Sequence, residues 1–459
     1  MSIHEVFTRT QVARVALGLT IWAGSVPALA AGFLLNENST SGLGTAFASG
    51  AAAAEDASTL WSNAAGMSRL RSRQAVGALH LVKPSIKFGN QASVAALGQP
   101  LGGNGGDAGG MNYVPNAYLV MPIDAQWSVG VGVNAPWGLV TEYEDGWIGR
   151  FQAIKSSIKT INVNPAVSWK PTSDLAVGLG LNFQRIEAEF TNQVNYTAAI
   201  LQAAGQAGIP VNPVDVAGLE SRARVEGSDN SWGWNVGLLF DIDASSRVGV
   251  SYRSPIKYTI AGNATFQNPA APLAPPPLVA GVNAQLADTA ITSEVKMPAI
   301  VNLSYFRTLN TQWDVLADAQ WTGWSSIQNL TFVRSNGNVL QSTPENFKDA
   351  WKFALGAHYR YDTQWTLRGG VAFDQSPVRT EFRTPRLPDA DRTWLTGGVQ
   401  YKLNPQSVLD FGAGYIWVKK ATIDSNPSGA PATTAAFGRL SGTYDANVVL
   451  LSGQFTYSF

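Results

Sequence analysis

Cysteine is absent from the 459-residue chain. That excludes a disulfide framework, thiolate metal sites and thiol nucleophiles. Charge is scarce: Asp, Glu, Lys and Arg make up 14% of residues, and 32 basic side chains balance 32 acidic ones. No basic excess is present to draw nucleic acid. Histidine occurs only at His4, His80 and His358. Neither a metal-ligand spacing nor a G-x-S-x-G elbow accompanies these residues, so catalysis, metals and cofactors are not expected. Beyond Leu35 no run of about 18 apolar residues occurs, which excludes a helical membrane span.

Aromatic residues and glycine are abundant instead, with 15 Trp, 13 Tyr and 45 Gly. Counting back from the C-terminus, Phe459, Tyr457, Phe455, Gly453, Leu451 and Val449 share one face, with Ser458, Thr456, Gln454, Ser452 and Leu450 on the other. This period of two fits a soluble β-domain or a membrane barrel, and three aromatics on one face at a chain end favour the barrel. The same alternation recurs. Ile161, Val163, Pro165, Val167 and Trp169 oppose Thr160, Asn162, Asn164, Ala166 and Ser168, and Trp351, Phe353, Leu355, Ala357 and Tyr359 oppose Lys352, Gly356, His358 and Arg360. A charge facing lipid at mid-bilayer costs about 2–4 kcal/mol, so the polar face belongs to a lumen. Fourteen such runs span 74–459, which predicts an all-β fold: a fourteen-stranded antiparallel transmembrane β-barrel over 72–459. A barrel of that size leaks unless something fills it.

Residues 1–30 have the form of a signal peptide. Arg9 and Arg14 precede the apolar stretch Val15 to Val26, and Ala28-Leu29-Ala30 precedes an expected mature start at Ala31. Residues 31–71 do not alternate. They are punctuated by glycine yet too apolar for a solvated tail, which predicts a partly helical hatch that plugs the lumen.

Ala31-Gly32-Phe33, Asn36-Glu37, Ser41-Gly42-Leu43-Gly44, Ala53-Ala54-Glu55-Asp56 and Asn63-Ala64-Ala65 resemble the hatch of the FadL/TodX family of outer-membrane transporters for hydrophobic compounds. Ala64 departs from that family's usual proline. Asn134-Ala135-Pro136-Trp137-Gly138-Leu139, Trp321-Thr322-Gly323-Trp324-Ser325 and Leu387-Pro388-Asp389-Ala390-Asp391-Arg392 continue the resemblance in order along the chain. The resemblance implies a monomeric protein in the outer membrane of a Gram-negative bacterium. It further implies capture of a hydrophobic small molecule at outer loops, a pocket at the hatch, and release into membrane lipid through a kinked third strand.

Two long connections, 192–229 and 267–293, carry apolar residues at helical spacing. Tyr196, Ile200, Leu201 and Ala204 lie in the first and Leu278, Val282 and Leu286 in the second. These faces either pack on their neighbours or form a groove for a greasy ligand. Phe33, Leu35, Leu43 and Phe47 are the candidate ligand contacts on the hatch. In the third strand, Gly130, Gly132, Asn134 and Pro136 are the candidates for a lateral gap, because proline offers no N–H to the ladder and a glycine-rich strand bends easily. An ordinary strand end explains the same residues. The basic positions that some fatty-acid members of the family use align with Asn192 and Thr343, neither of them basic. Arg185, Lys352 and Arg368 are the candidate lumenal substitutes. The expected function is passive transport of long-chain fatty acids; the alternatives are a channel for aromatic or other neutral hydrocarbons and a general diffusion porin.

Overall fold

The computed structural model describes residues 32–427, 429 and 436–459; the expected signal peptide and Ala31 lie outside the described residues. The wall makes fourteen antiparallel crossings. β1 (Gln74–Asn90) and β2 (Asn112–Pro122) are the first two, and the third is split into β3 (Trp127–Asn134) and β4 (Gly138–Glu142). β5 (Lys155–Trp169), β6 (Leu175–Asn195) and β7 (Glu220–Asp241) follow unbroken. The next four crossings are split. They are β8 (Ser246–Arg253) with β9 (Ile256–Gln267), β10 (Thr289–Met297) with β11 (Ile300–Thr308), β12 (Trp313–Thr322) with β13 (Asn329–Arg334), and β14 (Val339–Pro344) with β15 (Ala350–Arg360). β16 (Trp365–Asp374), β17 (Arg392–Lys402), β18 (Ser407–Val418) and the short β19 (Ala421–Ser425) lead to β20 (Leu440–Ser458). β20 pairs with β1 from Gln74↔Ser458 to Asn90↔Gly442 and closes the cylinder.

The alternation read from the sequence gives the wall its two faces. Phe411, Leu451, Phe455, Leu355 and Trp351 point outward and are exposed, while Asp410, Lys352, His358 and Gln454 point inward and are buried. Short turns at one end are set by Asx geometry. Asp362 Oδ1 accepts the N–H groups of Gln364 and Trp365, and Asn310 Oδ1 those of Gln312 and Trp313. Beside these turns, cross-strand pairs such as Trp127–Trp169 and Trp365–Tyr401 form an outward aromatic row.

Residues 32–70 fill the cylinder. α1 (Thr40–Leu43), α2 (Thr59–Ser62) and a 3₁₀ turn over Ala64–Arg69 are each too short to be stable alone, and they are buried against walls on opposite sides. The fit depends on inward-facing glycines. A Cβ at Gly237 would lie 1.9 Å from Asn63 Oδ1, and one at Gly370 would lie 2.2 Å from the Thr45 carbonyl carbon. The turn at Ala64 is held by Asn63. Its Oδ1 accepts the Ala65 N–H, and its Nδ2 donates to the carbonyls of Ala51 and Leu238.

Candidate functional site: a wall break and an apolar cluster beside the plug

The ladder between the second and third crossings is incomplete. β2 pairs with β3 from Pro122↔Ser128 to Ala117↔Val133, whereas β4 pairs only with β5. Asn112 to Asn116 therefore face no wall strand on that side. The backbone partner is supplied from within. Leu35 N–H donates to Pro136 O at 2.9 Å, Gly138 N–H donates to Phe33 O at 2.8 Å, and Asn116 Nδ2 donates to Glu37 O at 2.9 Å. Outside, the exposed Tyr113, Val131 and Val163 flank the break.

Two of the four residues expected at this gap lie elsewhere. Gly130 is paired with Val120 and Ala166, and Gly132 with Tyr118 and Asn164, so the ladder is intact there. Both glycines face the plug, where a Cβ would meet Leu60 and Met67 at Gly130 and Tyr118 at Gly132. Asn134 pairs with Asn162 of β5 but has no partner on β2, so the break begins with it and continues through Ala135 and Pro136.

At the break lies a packed apolar cluster. The Phe33 ring meets Trp324 edge-on at 4.8 Å and Trp137 at 6.0 Å, and Phe347 and Leu387 belong to the same buried cluster. Trp324 and Trp137 were legible only as motif residues, because each follows a point where alternation fails. Trp324, in the 3₁₀ turn Trp324–Ser326 just past the end of β12, is buried on the inward side, opposite to the outward-facing Trp321. Leu35 and Leu43 belong instead to the cluster that joins plug to wall. Phe47, half-buried, lies on the edge of that cluster.

The cations expected in the lumen are distributed otherwise. Arg185 faces outward, exposed, and pairs with Glu187, which rules it out as a lumenal group. It shares the parity of Leu179, Leu181 and Phe183 on β6, beyond the apolar band, where an outward charge meets water. Lys352 donates to Ala46 O at 3.1 Å and lies between the Phe47 and Trp394 rings. Arg368 is clamped by Glu55 and Asp410. Both hold the plug.

A third cation was missed. The connection 375–391 folds into the mouth of the barrel, carried by Thr141 Oγ1, which donates to Arg386 O, and by Tyr143 OH, which donates to Pro385 O. Its Asp389 accepts the Gly32 N–H, the first described residue of the plug. Arg386 is buried above Phe190 with its guanidinium 5.3 Å from the ring centroid. Burial lowers the Arg386 guanidinium to about 10, with the nearby Glu345 carboxyl acting against that shift. No periodic pattern marks Arg386; its place in a loop rich in proline and arginine was the only hint.

The outer connections are shorter than expected. β6 and β7 stay paired to Asn195↔Glu220, and β9 and β10 to Ala264↔Thr289, because these strands continue past the apolar band. Each connection carries a helix, α3 (Tyr196–Ala207) and α4 (Pro276–Gln285). Their apolar faces close on each other. Tyr196, Ile200 and Val282 bury in one cluster with Leu201 packed beside it, Leu278 is buried on α4, and Tyr196 OH donates to Asn283 Oδ1 at 2.8 Å.

The chain was compared with known proteins. A family model described as outer membrane protein transport protein (OMPP1/FadL/TodX) matches residues 21–459. The long-chain fatty acid transport protein of Escherichia coli K12 is 30% identical over 444 residues, covering 93% of this chain and 96% of that protein. The crystal structure of a Pseudomonas aeruginosa FadL homologue superposes with a TM-score of 0.84 at 26% identity, covering 94% of this chain and 100% of that one. The Pseudomonas putida toluene transporter TodX shares the fold, with a TM-score of 0.64 at 17% identity over 88% of this chain and 94% of that one.

Proposed function

Because the chain belongs to the OMPP1/FadL/TodX family of outer membrane transport proteins, which are not enzymes, we propose that it carries long-chain fatty acids inward and releases them sideways into the membrane. The substrate class rests on the fatty acid transport protein of E. coli, similar over nearly the whole of both chains. One observation carries the route: the edge Asn112–Asn116 has no wall partner on the side of the third crossing, where Phe33 and Leu35 of the plug bond to Gly138 and Pro136 instead. A ligand that enters past the outer connections reaches the aromatic cluster around Phe33, Trp137 and Trp324. The plug then shifts its first residues away from Pro136 and Gly138. That uncovers an opening beside Tyr113, and the ligand diffuses into lipid.

The energetics favour this exit. Each CH₂ moved from apolar surroundings into water costs about 0.8 kcal/mol, so about 15 methylenes crossing a wet outlet would cost on the order of 12 kcal/mol. A lateral path avoids most of that cost. Replacing Ala135 and Pro136 by Val and Thr gives the third crossing a continuous, hydrogen-bonding backbone. Uptake of radiolabelled oleate by cells should then fall at least tenfold, while oleate binding and barrel insertion are retained; unchanged uptake refutes the lateral route. In wild-type cells excess toluene should leave oleate uptake unaffected, and strong competition favours the aromatic-hydrocarbon reading.

A further inference from the structure

We propose that Arg386 anchors the head group of the transported amphiphile: its guanidinium holds a carboxylate while the hydrocarbon tail runs across Phe190 into the cleft between β6, β10 and β13. This rests on the fatty-acid reading above and adds the ligand's polarity and orientation.

The buried arginines of the lumen divide into two groups by what satisfies them. Arg368 has two carboxylates, Glu55 and Asp410. Arg247 donates to Ala52 O and Ala53 O at 2.5 Å, and Arg253 donates to Asn182 and to Trp61 O, so these two are used up in short bonds that include plug carbonyls. Arg386, only 6% exposed, makes just long contacts to neutral groups: Lys155 O at 3.4 Å, Ser156 Oγ at 3.2 Å and Asn192 Oδ1 at 3.2 Å. None of the ion pairs among the described residues includes it. Glu345, the nearby carboxyl that could neutralise it, forms no ion pair with it. A buried charge held so loosely is costly unless a counter-ion arrives.

The surroundings supply the other half of an amphiphile site. Below Arg386 the inward row of β6 runs through Phe190, Ala188 and Ile186, and Ile291, Met297 and Phe332 face it from β10 and β13. Six residues of strand separate Asn192 from Ile186, about 20 Å at about 3.3 Å per residue, the scale of an extended long acyl chain. The ladder between the two far walls is short. β10 and β13 share only the rungs Ile291↔Arg334 and Thr292↔Val333, and the cleft lies below that last rung. Ser293 Oγ, buried in the cleft, has no hydrogen-bond partner among the described residues.

The test compares binding of oleate with that of oleyl alcohol, equal in length but uncharged, to the purified full chain by titration calorimetry. Wild type should prefer oleate by about tenfold or more, the scale of one charge-assisted hydrogen bond. Arg386→Gln should abolish that preference and leave oleyl alcohol affinity unchanged. Asn192→Asp, which sets a permanent carboxylate against the guanidinium, should do the same with Arg386 still in place, and it decides the matter if the first variant fails to fold. An oleate preference that survives in the folded variants overturns the anchor while leaving the transport reading intact. A wild type that binds neither compound overturns both.

Discussion

In the wall, β6 answers β7 rung by rung from Asn195↔Glu220 to Leu175↔Phe240, and β20 answers β1 in the same way. In the plug, residues 32–70 are held mainly by side chains reaching in. Arg247 donates to Ala52 O and Ala53 O, Arg253 to Trp61 O, Lys352 to Ala46 O, and Tyr118 to Asn38 O. The plug also contains Ala46, Phe47, Ser49 and Ala54 at positive φ, between 49° and 64°, a region in which residues with side chains are strained. A ladder fails all at once, whereas a set of separate side-chain bonds can be exchanged a few at a time. That difference is what supports the proposal of a plug that moves within a wall that does not.

The largest effect should come from filling the space the plug uses. Gly370→Val puts a branched side chain where even a Cβ would lie 2.2 Å from the Thr45 carbonyl carbon. The wall keeps its register, since Gly370 pairs with Gly356 and Thr396 through backbone groups alone. Single-channel recording in a planar bilayer should show steps at least tenfold larger than wild type, as expected of an unfilled barrel of this size. A variant that stays closed would mean that wall and plug yield together, and the contrast between them fails.

A smaller effect should follow from removing one clamp. Arg368→Met leaves Glu55 and Asp410 facing each other without their shared cation, a loss of about 3–5 kcal/mol for a buried pair. Hydrogen exchange should quicken over residues 45–56 and stay unchanged in β6 and β7. Equal acceleration in both places would show that the plug is not a separate unit of stability.

The same contrast explains what could be read in advance. The wall was legible because lipid on one side and a polar lumen on the other impose a period of two, as in Trp351, Phe353 and Leu355 against Lys352 and His358. The plug was legible as a segment lacking that period, and the inward glycines at 237 and 370 were a further sign that went unread. Periodicity found α3 and α4 but could not say that their faces meet each other. Arg386 was invisible because the loop 375–391 turns inward through bonds from Thr141 and Tyr143, more than 200 positions away in sequence. Arg185 was misplaced for the opposite reason. Its parity was readable, but a charge was assumed to mean the lumen, and that inference holds only within the apolar band.

Arg185 therefore offers the smallest effect and the sharpest control. Its ion pair with Glu187 stands on the outer face, with the side chains 45% and 55% exposed. Pairs of this kind contribute at most about 1 kcal/mol, because water and salt screen the attraction and two long side chains must be ordered to form it. Arg185→Ala should leave oleate binding, exchange in the plug and channel closure at wild-type values, with any shift in the denaturant midpoint well below that of Arg368→Met. The two substitutions each delete one guanidinium from one strand of the same barrel. If Arg185→Ala weakened oleate binding as much as Arg386→Gln does, the inward and outward faces of β6 would have to be exchanged, and the cleft below Asn192 would no longer face the lumen.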